Sequence, residues 1–237
     1  MKILLNDAFR RTPFMAAYRF ARAAHWRSHT RKELDAHLRR EPELRIHLGA
    51  GENVLASWLN FDLLPFRAPG LLYLDVTKPL PFESGTVASI FSEHMIEHFS
   101  RETAEAIIRE CHRVVRPGGL LRISTPDLGI LVKLYCEPHT PNQEQYIRTV
   151  VDLYSAGPSY LPGYVVNQLF KFGHQFLYDA DTFEELLAAQ GFDGIVRTRP
   201  GQSAHAVFHG IDFHANDYIA FESLVMEAQK ADARSGA

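Results

Sequence analysis

The feature that most constrains this chain is a short alternating run that ends in a glycine turn. Leu44, Ile46 and Leu48 alternate with Arg45 and His47, the period of a strand, and lead into Gly49-Ala50-Gly51. Glycine lets the backbone turn tightly after a strand and lets a ligand approach it closely. Two further extended runs follow, Trp58–Leu63 and Leu71–Val76, each with an aspartate near its end, Asp62 and Asp75. A carboxylate at Asp62 can accept both hydroxyls of a ribose, and one at Asp75 can meet an adenine amino group. Three strand ends converging on one edge describe a pocket for an adenosine-like ligand. The dinucleotide pattern G-x-G-x-x-G is not completed: its third position is Val54, and Asp62 follows Gly49 by 13 residues where about 20 are expected. No pyrophosphate cradle is therefore expected.

The rest of the chain alternates in the same manner. Val87–Phe91 reads as a fourth strand. Ser100 caps a helix whose apolar face is Ala104, Ile107, Ile108, Cys111, Val114 and Val115, and Pro117-Gly118-Gly119 stops it. Leu120–Ser124 reads as a buried strand. A further helix is expected from Asp181, with Glu184 completing a capping box, to Gly191. A strand pair is expected at Gly194–Thr198 and Ala204–Gly210, and a tail helix at Asn216–Ala231. Strands alternating with helices imply a mostly parallel sheet with crossovers. The stretch 130–178 breaks the pattern with four prolines and six of the nine tyrosines. An irregular aromatic insertion at a strand's carboxyl end is where an open α/β sheet places a substrate lid.

Composition bounds the function classes. The 237 residues are 46% hydrophobic and 22% charged, enough to bury a core and too apolar for wholesale disorder. No apolar run approaches the ~20 residues of a membrane span, and MKILLNDAFRR is not a secretory signal. Cys111 and Cys136 cannot build a disulfide framework or a four-cysteine zinc site, so a reduced, cytoplasmic chain is expected. Residues 1–40 carry ten Lys/Arg and three acids, a charge of +7, against −10 for the remainder. They read as a basic helical arm, suited to packing on the main domain or to an anionic partner.

The runs "HLGAGENVLASWLNFDL", "YLDVTKPLPFESGTVASIFSEHMIEHF" and "IIRECHRVVRPGGLLRISTPDL" resemble class I S-adenosylmethionine-dependent methyltransferases, in particular the group with "GW-x-N-x-D" after the glycine turn. The similarity spans about Leu44–Leu128 and resumes at 174–192. It implies a Rossmann-like sheet with helices on both faces and a late antiparallel strand. It implies S-adenosyl-L-methionine as cofactor, held by Gly49, Ala50 and Gly51, by Asp62, by Asp75 and Val76, and by Glu93 at the fourth strand's end. Ser57 stands where that group has glycine, and the helix expected between 52 and 58 is missing or very short.

"SEHMIEHF" places His94, Glu97 and His98 where such enzymes present the methyl group. A histidine is the natural base for a hydroxyl acceptor. His94 and His98 are the first candidates, His174 and Asp127 the second. Cys111 reads as core. The string His94-Met-Ile-Glu97-His98 also matches the inverted zinc-protease motif, but that site needs a real helix through the motif and a third ligand downstream. No ligand set in the sequence names a metal.

The expectation is a methyltransferase domain over 41–215 with a lid-like insertion at 130–178, the basic arm before it and a helix and tail at 216–237. The expected reaction is O-methylation of a sugar or another small polar metabolite. The alternatives are a nucleic-acid methyltransferase using the arm, a non-catalytic partner module and a zinc hydrolase. The sequence lacks the NPPY-type tetrapeptide of amino-directed DNA enzymes, and it leaves the oligomeric state open.

Overall fold

A computed structural model describes residues 32–37, 43–64, 68–214 and 217–232. Its centre is a seven-stranded sheet: β1 (Leu44–Leu48), β2 (Leu59–Asp62), β3 (Leu71–Tyr73), β4 (Val87–Glu93), β5 (Val115–Pro126), β6 (Phe192–Thr198) and β7 (Ser223–Lys230). The order is β3-β2-β1-β4-β5-β7-β6. The first five strands are parallel, and β7 runs antiparallel to both β5 and β6. The strand order reverses between β1 and β4. Open α/β sheets bind ligands at such a switch point, outside the carboxyl ends of the strands.

Alternation along the strands separates two faces. Ile46, Phe61, Ile90, Leu121, Ile123 and Met226 join one large core with α1 (Arg101–Val114) and α5 (Ala180–Ala189). The Ser100 hydroxyl accepts the Thr103 N–H, so the expected cap of α1 forms. The α5 helix starts ahead of its expected place, because Asp179 and Thr182 make the capping box. Cys111 is buried in this core, and burial pushes its thiol up to about 12.

The opposite face is covered differently. The link after Gly51 forms no helix between 52 and 58. Trp58 and Phe91 pack instead with Phe208 and Ile211, from the connection between β6 and β7. That connection is clamped by Arg122, which is wholly buried. Its Nε and Nη2 donate to the two Asp212 oxygens at 3.0 and 2.7 Å. Its Nη1 donates to Glu227 and to the Gln202 carbonyl, and Nη2 also reaches the Arg199 carbonyl. Arg122 and Glu227 are direct partners in the β5–β7 register. A buried ion group thus holds a connecting segment where the crossover helix would lie.

Two expectations are corrected here. The tail helix expected over 216–231 is not formed by its described residues, 217–231: a four-residue helix, α6 (Ile219–Glu222), leads into β7. The sequence SLVMEAQK is rich in helix formers, but its alternation puts Leu224, Met226 and Ala228 into the core and Glu227 against Arg122, and tertiary burial outweighs propensity. In consequence β7, not Ala204–Gly210, is the partner of β6; the latter stretch is irregular with a 3-10 turn at Ala206–Phe208.

The insertion after β5 is helical: α2 (Leu128–Cys136), α3 (Pro141–Tyr154) and α4 (Pro162–Lys171). These helices enclose their own small core around Leu131, Leu134, Tyr146, Val150, Val165 and Leu169. Most of the basic arm lies outside the described residues; within it, 32–37 is helical and Leu34 packs against the main core. Among the described residues no helix is long and apolar enough to cross a membrane.

Candidate active site

The glycine turn sits at the switch point and is held by the two strands beside it. Gly49 and Gly51 have φ of 69° and 58°, where a Cβ costs energy. A Cβ at Gly49 would lie 2.7 Å from the Met95 side chain, whereas nothing lies within 4 Å of one at Gly51. The turn is therefore packed on one side and open on the other. Asp62, at the end of β2, accepts the Gly51 N–H at 3.0 Å through Oδ2 and the Leu64 N–H at 2.7 Å through Oδ1. Both oxygens keep acceptor capacity.

The remaining letters of W-x-N-x-D gain a physical meaning. Asn60 accepts the Leu55 N–H and donates to the Leu55 and Trp58 carbonyls, each at 2.9 Å, so it ties down the loop that replaces the helix. Ser57, in that loop, has φ 61°, the conformation glycine takes without cost. The Asp75 carboxylate, after β3, accepts the Thr77 N–H and hydroxyl through Oδ1. Val76 lies beside it, half-buried. Glu93 turns to the β6–β7 connection and accepts the Phe213 and His214 N–H groups at 3.0 and 3.3 Å; burial raises its carboxyl.

Beyond β4 the segment Ile96–His98 is a single 3-10 turn, so the helix required by an inverted zinc-protease motif is absent. The histidines nonetheless gather around one carboxylate. Glu97 is fully buried; its Oε2 accepts the Thr125 hydroxyl at 3.1 Å, and its Oε1 lies 3.5 Å from His94 Nδ1 and 3.9 Å from His174 Nε2. The His98 and His174 rings meet edge to face with centroids 4.9 Å apart. Burial works against charge on His94, but Glu97 beside it outweighs burial and holds the imidazole above its ordinary value. Burial brings His174 down to about 4. His94 has φ 47°, and its Nε2 meets the Ser223 hydroxyl at 2.9 Å, so both its nitrogens face protein groups.

The four proton-transfer candidates thus separate. His94, His98 and His174 share the Glu97 cluster. Asp127 is occupied elsewhere, since its Oδ1 caps α2 through the Gly129 and Ile130 N–H groups and its Oδ2 pairs with Arg197 at 2.5 Å. Glu222 and Tyr146 form a buried hydrogen bond between α6 and α3 that sequence reasoning missed, since 76 residues separate them. A groove of about 700 Å³, lined by Ile130, Arg197, Arg199, Phe221 and Ser223 among others, opens beside the hydroxyl that meets His94.

Residues 49–123 match the family model described as a methyltransferase domain. The matched segment is 75 of the 237 residues. It runs from the glycine turn through most of β5 and so contains Asp62, Asp75, Glu93 and the first two histidines. None of the curated proteins matches the chain. Among solved structures, a phosphoethanolamine N-methyltransferase 2 of Haemonchus contortus, in complex with S-adenosyl-L-methionine, is 14% identical with a TM-score of 0.45. That match covers 80% of this chain and 49% of the other, so this chain spans about half its length. An S-adenosylmethionine-dependent methyltransferase of Archaeoglobus fulgidus is 13% identical (TM-score 0.48; 84% and 94% covered). One of Mesorhizobium loti is 16% identical (TM-score 0.47; 84% and 97% covered). The fold itself rests on the strand order given above.

Proposed function

We propose that the protein transfers a methyl group from S-adenosyl-L-methionine to a hydroxyl of a small polar acceptor, a saccharide first among them. The observation that carries the cofactor part is the Asp62–Gly51 contact: it fixes a carboxylate with spare acceptor capacity beside a glycine turn that is open on its outer side. The donor set fits the group. Gly49, Ala50 and Gly51 would face its amino-acid part, Asp62 its ribose, Asp75 and Val76 its base, and Glu93 supports the loop that borders the strand ends. The cofactor supplies an electrophilic methyl group.

The chain's own part is to bind, orient and take a proton. Methyl transfer is an in-line displacement, so the acceptor must be held at a fixed angle and distance. The helical insertion and the groove beside Ser223 supply the walls for this. The exposed Tyr135 of the insertion has a ring face that suits a sugar ring. The proton of the acceptor hydroxyl goes to the imidazole cluster around Glu97, with His98 and His174 the members not committed to Ser223.

Transfer of labelled methyl from S-adenosylmethionine to a panel of saccharides, with amine acceptors alongside, tests the reading. Label on a saccharide hydroxyl is expected. Label found only on amines, with the cofactor bound normally, would overturn the acceptor assignment and leave the cofactor assignment standing.

A further inference from the structure

We infer that Glu97, His98 and His174 form a binding site for a divalent transition-metal ion. One oxygen or nitrogen from each residue lies within 4.8 Å of the others. Tetrahedral bonds of ~2.1 Å require ligand separations of about 3.4 Å, so side-chain shifts of an ångström or so complete the site.

Two observations besides proximity point to a ligand. Glu97 Oε1 is buried and has no hydrogen-bond partner, although it is aimed among the imidazoles. Its one cationic neighbour among the described residues is His94, whose Nδ1 stands 3.5 Å away, so this buried oxygen is incompletely satisfied and keeps room for a closer cation. The scaffold is also stapled in place. The Gln175 N–H donates to the Glu97 carbonyl at 2.7 Å, the Phe176 N–H to the same carbonyl at 3.3 Å, and the Gln175 side chain to the His98 carbonyl at 2.7 Å. These three bonds lock the segment bearing His174 to the segment bearing Glu97 and His98, although His98 and His174 stand 76 positions apart in sequence. Thr125 donates to the other Glu97 oxygen and fixes the carboxylate plane, as the outer partners of metal ligands do.

The ligand chemistry selects the ion. Two imidazoles and one carboxylate suit zinc, iron, cobalt or manganese, whereas magnesium and calcium prefer oxygen alone. Three protein ligands leave positions open for water or for an acceptor oxygen. The inference rests on the geometry of these residues and not on the methyl-transfer reading; with an ion bound, His98 and His174 would be its ligands, and they would take the acceptor's proton only in the ion-free protein.

The test is titration of the chelator-stripped full chain with Co²⁺, read by visible absorption, followed by competition with Zn²⁺. One stoichiometric ion with ligand-field bands, displaced by Zn²⁺, is expected. His98→Ala and His174→Ala should each weaken Co²⁺ binding by at least about tenfold with an unchanged circular dichroism spectrum. Glu97→Gln serves as a third variant if it folds. No binding of either ion by the folded protein would overturn the inference. So would Co²⁺ binding that is equal in wild type and both histidine variants, since another group of histidines would then hold it.

Discussion

Asp62 Oδ2 accepts the backbone N–H of Gly51 at 3.0 Å, so the end of β2 and the turn after β1 form one unit. Removing the carboxylate takes away both the brace and the ribose acceptor. Asp62→Ala should weaken S-adenosylmethionine binding by roughly 1.5–3 kcal/mol, the scale of a charge-assisted contact. Calorimetric titration of the folded variant measures this; an unchanged affinity would remove Asp62 from the pocket.

The two glycines of the turn should respond unequally. Gly49→Ala places a methyl 2.7 Å from Met95 in a left-handed conformation, so packing and backbone both suffer. Gly51→Ala meets open space and costs only the backbone strain, roughly 1–2 kcal/mol. Thermal unfolding should show the larger loss for Gly49→Ala, and equal losses would contradict the packing described.

Arg122 should be a stability residue. Arg122→Met leaves Asp212 and Glu227 buried without their cation, a change that typically costs about 3–5 kcal/mol. Arg122→Lys should not restore stability, because a lysine cannot replace the fork that spans Asp212 and the Gln202 and Arg199 carbonyls. Urea unfolding of the two variants decides this, and a lysine variant as stable as wild type would refute the clamp.

The acid limb of stability should carry the signature of His47. Burial between Asn60 and Phe91 lowers this imidazole to about 4. The unfolded chain, with its ordinary value of 6.5, binds the proton more readily than the folded one between those limits. Stability is therefore full above that ordinary value and falls as the pH drops toward about 4, by up to about 1.4 kcal/mol per unit from this residue. His47→Asn should flatten that slope in denaturant titrations at several pH values; an identical slope would assign the loss elsewhere.

Legibility of the fold in the sequence divides along chain separation. β1 with its glycines, α1 with its Ser100 cap, and the aspartates after β2 and β3 are local patterns, each contained in a short stretch of chain. β7 is not, because Leu, Met, Glu, Ala and Gln favour helix, and only pairing with β5 converts Glu227 from a surface residue into the partner of Arg122. The His94–Glu97–His98 string is visible in the sequence, but its meaning depends on His174, which reaches it only by way of the insertion after β5. The helices of that insertion are hidden by their prolines. Pro141 and Pro162 stand in the first turn of α3 and α4, where proline is tolerated, and in isolation they read as breakers.

The most direct test of the account is calorimetric titration of the wild-type protein with S-adenosylmethionine and S-adenosylhomocysteine, with NADH as control. Micromolar binding of both sulfur nucleotides and none of NADH is predicted. A folded protein that binds neither sulfur nucleotide would contradict the cofactor site at Gly49–Gly51 and Asp62.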